Sequence, residues 1–246
     1  MTELSVIARV RTDFPEKFGL PRQSGIVPEL TGRVVFEPEY RSRDAVRGLE
    51  GFSHIWLLWG FSEGFSSRRG GEARSWSPTV RPPRLGGNVR MGVFATRSPN
   101  RPNPIGLSAV KLCGILTDPE LGPVLEVAGI DMADGTPVYD VKPYLPFADA
   151  LPEAKGGFAG DLAGDRLTVE ADEGLLRRLP EEKREPLLAV LRGDPRPRYQ
   201  RGPSREYGFP YAGYEITFTV DGEVLTLKDI RRRAGLAGQG PGPQDG

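Results

Sequence analysis

Glycine and proline punctuate this chain so often that few long regular elements fit between them. They account for 56 of its 246 residues. A proline inside a helix costs about 3 kcal/mol, and glycine loses more conformational freedom on ordering than any other residue. What lies between the breaks is a series of short apolar or alternating runs: 5–10, 33–37, 54–61, 91–96, 107–116, 124–130 and 138–144. Seven such runs separated by turn residues read as the strands of a sandwich or barrel. The run 54–61 (HIWLLWGF) is apolar at consecutive positions, so it is expected to be a central strand covered on both faces. His54 then reads as a hydrogen-bonded core residue, and Cys113 as a buried packing residue.

The pattern changes after about residue 160. Segment 172–192 carries leucines at helical spacing, interrupted by Pro180 and Pro186. Two short helices are expected, the second starting near Pro186 as its first residue and ending at Gly193. A basic, proline-rich loop follows at 194–205 (DPRPRYQRGPSR). Then comes a hairpin: 214–220, a turn at Asp221-Gly222, and 223–227. The tail 234–246 is too rich in Gly and Pro to fold and is expected to be disordered. The fold class is therefore mainly β: a β domain over 1–160 followed by a small α+β domain over 161–233.

Charge is balanced overall, with 33 basic and 33 acidic residues, but unevenly placed. Residues 68–101 hold eight arginines and one acid, and residues 118–173 hold thirteen acids against three basic residues. A uniformly cationic nucleic-acid coat is excluded, while a confined electropositive face is not. Arginine suits bidentate contacts to phosphate and carboxylate. One cysteine and one histidine argue against a disulfide framework and against Cys- or His-based metal sites. No long apolar run and no signal-peptide pattern occur, so a soluble cytoplasmic protein with no membrane partner is expected. Nucleotide-binding glycine loops, the P-loop, H-E-x-x-H and G-x-S-x-G are all missing.

Three stretches are too particular to be generic surface: PRQSG at 21–25, TVRPPRLGGNVRMGVFATRSPNRPNPIGLS at 79–108, and DMADGTPVYDVKPYLPFAD at 131–149. Each packs charged or amide side chains among residues that stiffen a loop or let a backbone approach a ligand closely. Together with AVRGLEGFSHIWLL (45–58), and with DPRPRY (194–199) and AGYEI (212–216) further on, they closely resemble the TrmO family, also called YaeB-like or TsaA-like.

That resemblance implies a single-sheeted β-barrel that binds S-adenosyl-L-methionine and works as a homodimer. It also implies methyl transfer to the exocyclic nitrogen of N6-threonylcarbamoyladenosine at tRNA position 37, beside the anticodon. Carried over by motif, the cofactor-binding set is Pro21, Arg22, Gln23, Ser62, Glu63, Arg97, Leu107, Asp134, Gly135, Thr136 and Pro137. The departure lies at Ser62–Glu63, which lead into a longer insert over 64–77. Asp134 is suited to a cationic part of the cofactor, Arg97 or Arg22 to its carboxylate, and backbone groups around Leu107 and Gly135 to adenine.

Asp140, Lys142 and Tyr144 are the catalytic candidates, for removing a proton or holding the threonyl carboxylate. The alternative for the first two is a structural ion pair. Arg81, Arg84, Arg101, Arg196, Arg198 and Tyr199 are the RNA-binding candidates, aimed at an anticodon stem-loop, with Tyr207 as a further stacking candidate. The C-terminal domain is the expected tRNA contact. Two other readings compete: a non-enzymatic module binding adenosylmethionine or RNA as a regulatory ligand, and a methyltransferase with a different acceptor.

Overall fold

A computed structural model describes residues 4–61, 76–82, 88–159, 166–196 and 205–233. The predicted Ser62, Glu63, Arg84, Arg198 and Tyr199, and the tail 234–246, lie outside the described residues.

The chain is mainly β. Its first half contains β1 (Ala8–Arg11), β2 (Thr31–Phe36), β3 (His54–Gly60), β4 (Thr79–Val80), β5 (Met91–Gly92), β6 (Ile105–Asp118), β7 (Gly122–Ala128) and β8 (Pro137–Pro143). Six of these pair antiparallel in the order β1-β2-β7-β6-β3-β8, and β8 pairs back on β1 through Ala8 and Val138, closing the sheet. β4 and β5 form a separate two-stranded ribbon. Side chains alternate across each strand. In β6, Gly106, Ser108, Val110 and Leu112 face inward, while Ile105, Leu107 and Lys111 face out. Ile55 and Leu57 of β3 fill the interior with Val10, Val34, Leu125 and Val138.

Strand β3 is central, between β6 and β8, as its apolar run suggests. Its outer face is only half-covered, and His54 stands exposed on it. The imidazole Nδ1 lies 3.0 Å from the Ser53 hydroxyl. The expectation of a core histidine therefore fails: position 54 has the parity of the outer face. Cys113 is also exposed: it continues the outward-facing odd positions of β6, at the point where a bulge between Leu112 and Gly114 shifts the pairing with β7. The predicted strand over 91–96 shrinks to two residues and continues as a 3₁₀ turn, Val93–Ala95.

The second half holds β9 (Thr168–Glu170), β10 (Glu206–Tyr211), β11 (Tyr214–Asp221) and β12 (Val224–Arg232), in sheet order β10-β11-β12-β9. Among the described residues, two α-helices lie between β9 and β10. In the first, Glu173–Leu176, the Asp172 carboxylate accepts from the Leu175 N–H at 3.2 Å. The second spans Glu181–Arg192, so Pro180, not Pro186, is the break. Pro186 is the sixth residue of that helix and removes one bond, the one to the Glu182 carbonyl. The hairpin between β11 and β12 turns on Gly222 and Glu223, one residue later than Asp221-Gly222, because Asp221 still pairs with Val224.

The two halves meet on the connection between β1 and β2. Phe14 packs on Phe209 and Tyr211, with ring centroids 6.2 and 5.1 Å apart. Asp13 takes the Lys183 ammonium at 2.6 Å, and its carbonyl takes the Ala212 N–H at 2.8 Å. A Cβ on Gly19 would lie 2.6 Å from the Phe209 ring, so only glycine lets the chain pass this closely. Among the described residues no helix is long and apolar enough to cross a membrane.

Candidate functional site

The three unusual stretches converge on one carboxylate that the sequence reading did not single out, Asp131. Its Oδ1 accepts from the Ser108 hydroxyl at 2.8 Å, and the Trp59 indole N–H donates to that same hydroxyl at 3.0 Å. The Ser24 backbone N–H also donates to Asp131, and the Arg97 guanidinium acts on it electrostatically. Asp131 thus ties 21–25 to β6 and to its own segment. Burial pushes its carboxyl above the usual carboxylate range, against the lowering effect of these donors and of Arg97.

Two further contacts close this knot. Arg97 donates to the Gln23 side-chain oxygen. The Gly25 N–H donates to the Gly129 carbonyl at 2.8 Å. Arg22 reaches the Arg196 carbonyl at 3.5 Å, which brings the end of the C-terminal helix region to the same loop. The loop that carries Pro21, Arg22 and Gln23 therefore lies against Arg97.

Asp134–Pro137 is held differently, clasped by β1. The Thr12 N–H donates to Asp134 Oδ1 at 3.1 Å, and Arg11 lies 3.5 Å from Oδ2. The Gly135 N–H goes to Val10 O at 2.8 Å, and Arg9 donates to the Gly135 carbonyl at 3.3 Å. Thr136 is buried and bonds the Ala133 carbonyl through its hydroxyl at 2.7 Å. The turn is consequently a rigid corner. The Gly135 N–H is already satisfied within the fold, so of the backbone groups around this turn it is not one open to adenine. Asp134 keeps a partly exposed carboxylate.

The catalytic candidates lie on the outer face of the barrel. In the ladders Leu58 pairs with Leu107 on one side and Asp140 on the other, and Trp56 pairs with Lys142. Leu107 and Asp140 are thus two strand spacings apart, about 10 Å. Leu107 is 53% exposed. The β7 ladder begins only at Lys111, so one backbone edge of β6 around Leu107 lies outside it. Lys142 and Asp140 form an ion pair at 2.8 Å, both side chains partly exposed. Tyr144 packs on Trp56 with centroids 5.5 Å apart, and Trp56 donates its indole N–H to Asp149 at 2.9 Å.

The RNA candidates separate. Arg81 is exposed. Arg101 donates to the Thr96 carbonyl at 3.1 Å and braces its own loop. Arg196 is only 7% exposed and gripped by both carboxylate oxygens of Asp194, at 2.7 and 3.0 Å. A guanidinium committed in this way does not face a phosphate, which removes Arg196 from the predicted RNA set. Tyr207 is likewise buried, stacked on Phe218 at 5.6 Å, and not free to stack a base.

The missed residues had a readable signal. Asp131 opens the third stretch and Ser108 closes the second, but neither function is visible without the pairing of Trp59 with Gly106. A Cβ at Gly106 would overlap the indole, so the glycine of IGLS makes room for Trp59 and the serine receives its N–H.

Residues 9–150 match the tRNA-methyltransferase O N-terminal domain, and residues 166–233 the TrmO C-terminal domain. The chain is 44% identical over 223 residues to the Escherichia coli protein named tRNA (adenine(37)-N6)-methyltransferase, covering 87% of this chain and 89% of that one. Over 142 residues it is 38% identical to a Methanothermobacter thermautotrophicus protein named "Probable S-adenosyl-L-methionine-binding protein", covering 58% of this chain and 89% of that one. The crystal structure of TrmO from P. aeruginosa superposes with a TM-score of 0.73 at 31% identity, covering 95% of this chain and 98% of that one. With its barrel half and its C-terminal half each matched in order, the chain belongs to the tRNA-methyltransferase O family.

Proposed function

We propose that this enzyme transfers a methyl group from S-adenosyl-L-methionine to N6 of N6-threonylcarbamoyladenosine at position 37 of tRNA. The observation that carries the reading is the convergence of 21–25, Arg97 and Ser108 on Asp131. That donor set fits the methyl donor's chemistry: Arg97 and Arg22 offer cations for its carboxylate, Asp131 and Asp134 offer anions for its cationic side, and exposed Leu107 offers an apolar surface for adenine. When bound, the donor supplies an electrophilic methyl group on its sulfonium.

The chain's own contribution is positional. The acceptor nitrogen is a weak nucleophile, its lone pair delocalised into ring and carbamoyl group, so holding it in line supplies much of the rate. Asp140 stands on the outer face in the same cross-strand row as Leu107, with its ion-pair partner Lys142 one row along, opposite Trp56. Lys142 is suited to the threonyl carboxylate and Asp140 to the leaving proton. Tyr144, packed on Trp56, borders them. Two copies are expected to pair through the half-covered outer face of β3, and the working compartment is the cytoplasm. Arg81, Arg84, Arg101, Arg198 and Tyr199 remain the proposed RNA contacts.

The test is methyl transfer from labelled donor to tRNA with and without the threonylcarbamoyl group. Label confined to the modified tRNA is expected. Equal labelling of both, or of neither, would defeat the reading.

A further inference from the structure

Outside the barrel, the β4–β5 ribbon presents a feature that neither the fold nor the donor site uses. The Val93 N–H donates to the Pro78 carbonyl at 2.9 Å, and this brings Trp76 against Phe94. Their ring centroids are 6.0 Å apart and their planes 30° from parallel. Trp76 is 49% exposed and Phe94 71%. Val89, beside them in the sequence of the ribbon, is half-exposed as well. Scattered exposed apolar residues need no explanation. Two large aromatics in contact and open to water form a patch, and such patches mark binding surfaces.

The surroundings select the occupant. The described residues 76–82 and 88–105 contain four arginines (Arg81, Arg90, Arg97 and Arg101) and no aspartate or glutamate. Arg81 and Arg90 are exposed next to the paired residues Val80 and Met91. An exposed aromatic pair in a stretch that carries arginines and no acids complements a polyanion with flat rings. It is the combination by which single-stranded nucleic acid is held: arginines on phosphates, side-chain rings on bases. Phe94 also lies only three residues before Arg97 of the donor site.

We propose that the Trp76–Phe94 pair is a stacking platform for an unpaired nucleobase of the RNA substrate, next to the nucleotide that is methylated. The proposal rests on the reading of the chain as a tRNA methyltransferase, and its test is arranged to fail separately. The full chain and its Trp76→Leu, Phe94→Leu and Phe94→Tyr variants are titrated with an anticodon stem-loop RNA by fluorescence anisotropy, without donor. KM for tRNA, donor affinity by calorimetry and mass by light scattering are measured beside it. Leucine keeps apolar volume but removes the π face. Each leucine variant is expected to bind the stem-loop roughly ten- to a hundredfold more weakly and to raise KM for tRNA, with donor affinity and mass unchanged. Phe94→Tyr is expected to bind like the parent.

Stem-loop binding by the leucine variants equal to the parent's overturns the proposal even if the parent methylates tRNA. Loss of donor affinity would assign the pair to the donor site, and a change of mass would assign it to a contact between copies; either overturns it too. A parent that binds the stem-loop through the pair but methylates no tRNA would instead defeat the functional reading alone.

Discussion

Asp131 pays for its central place in the site with stability, and the sign of that cost is testable. Burial is the dominant influence and raises its carboxyl above the ordinary 3.8. In the unfolded chain the group ionises first, so between the ordinary value and the raised one the native state binds more protons, and stability falls as pH rises through that window. Below pH 3.8 both states are protonated and the cost vanishes. Asp131→Asn resembles the neutral form. It is expected to raise Tm at pH 7, with the gain shrinking as pH falls toward 4, while lowering affinity for the methyl donor through loss of the charge beside Arg97. Thermal unfolding across pH together with calorimetry would check both halves; a lower Tm at pH 7 would contradict the account. A second residue-scale expectation concerns Arg196, gripped by Asp194 with only 8% of its side chain exposed. Asp194→Asn tolerates the positive φ of 50° at this position but leaves a buried guanidinium without its counter-charge. The expected loss is about 3 kcal/mol in denaturant unfolding. Wild-type stability would show the pair to be solvated.

At the scale of elements, the site depends on strands whose pairing the sequence hides. Gly106→Ala puts a methyl group into the Trp59 ring. Overpacking of this kind costs about 1–3 kcal/mol, and displacing the indole from Ser108 also loosens Asp131. Both unfolding midpoint and donor affinity are therefore expected to drop; unchanged tryptophan emission and affinity would show that the indole has room. This element also shows where sequence reading ends. The runs 54–61, 107–116, 124–130 and 138–144 stand within a few residues of β3, β6, β7 and β8, because alternation and turn residues are local signals. The bulge at Cys113 and the exposure of His54 depend on cross-strand register, which one strand's sequence does not contain. Pro186 misled for a related reason: helix Glu181–Arg192 is held by burial of Leu187, Val190 and Leu191, enough to tolerate one missing hydrogen bond. The site motifs were legible because they are contiguous. Asp131, Ser108 and Trp59 act through contacts between distant segments, and Arg196 and Tyr207, which read as surface, turned out to be buried by partners in other elements.

Across the whole molecule, charge is separated, and this governs how RNA is met. A net charge of zero gives no long-range pull on nucleic acid. The arginines of 76–105 nonetheless occupy a stretch without acids, and the acidic residues beyond Asp118 oppose binding elsewhere on the surface. Affinity for tRNA should come from a small number of phosphate contacts and fall steeply with salt, since each phosphate engaged releases counterions. Among the described residues, Arg81 and Arg90 are the exposed arginines flanking the ribbon strands, whereas Arg97, though exposed, is engaged with Gln23 and Arg101 with the Thr96 carbonyl. Replacing Arg81 and Arg90 together by Gln should weaken tRNA binding at low salt and reduce the slope of log K against log salt by about 2, one for each phosphate that no longer meets an arginine. Donor affinity should not change, because neither residue belongs to the set gathered around Asp131. Anisotropy titrations of tRNA over a range of salt concentrations measure the slope directly. A parent-like slope in the double variant would move the phosphate contacts off the ribbon and onto another part of the molecule.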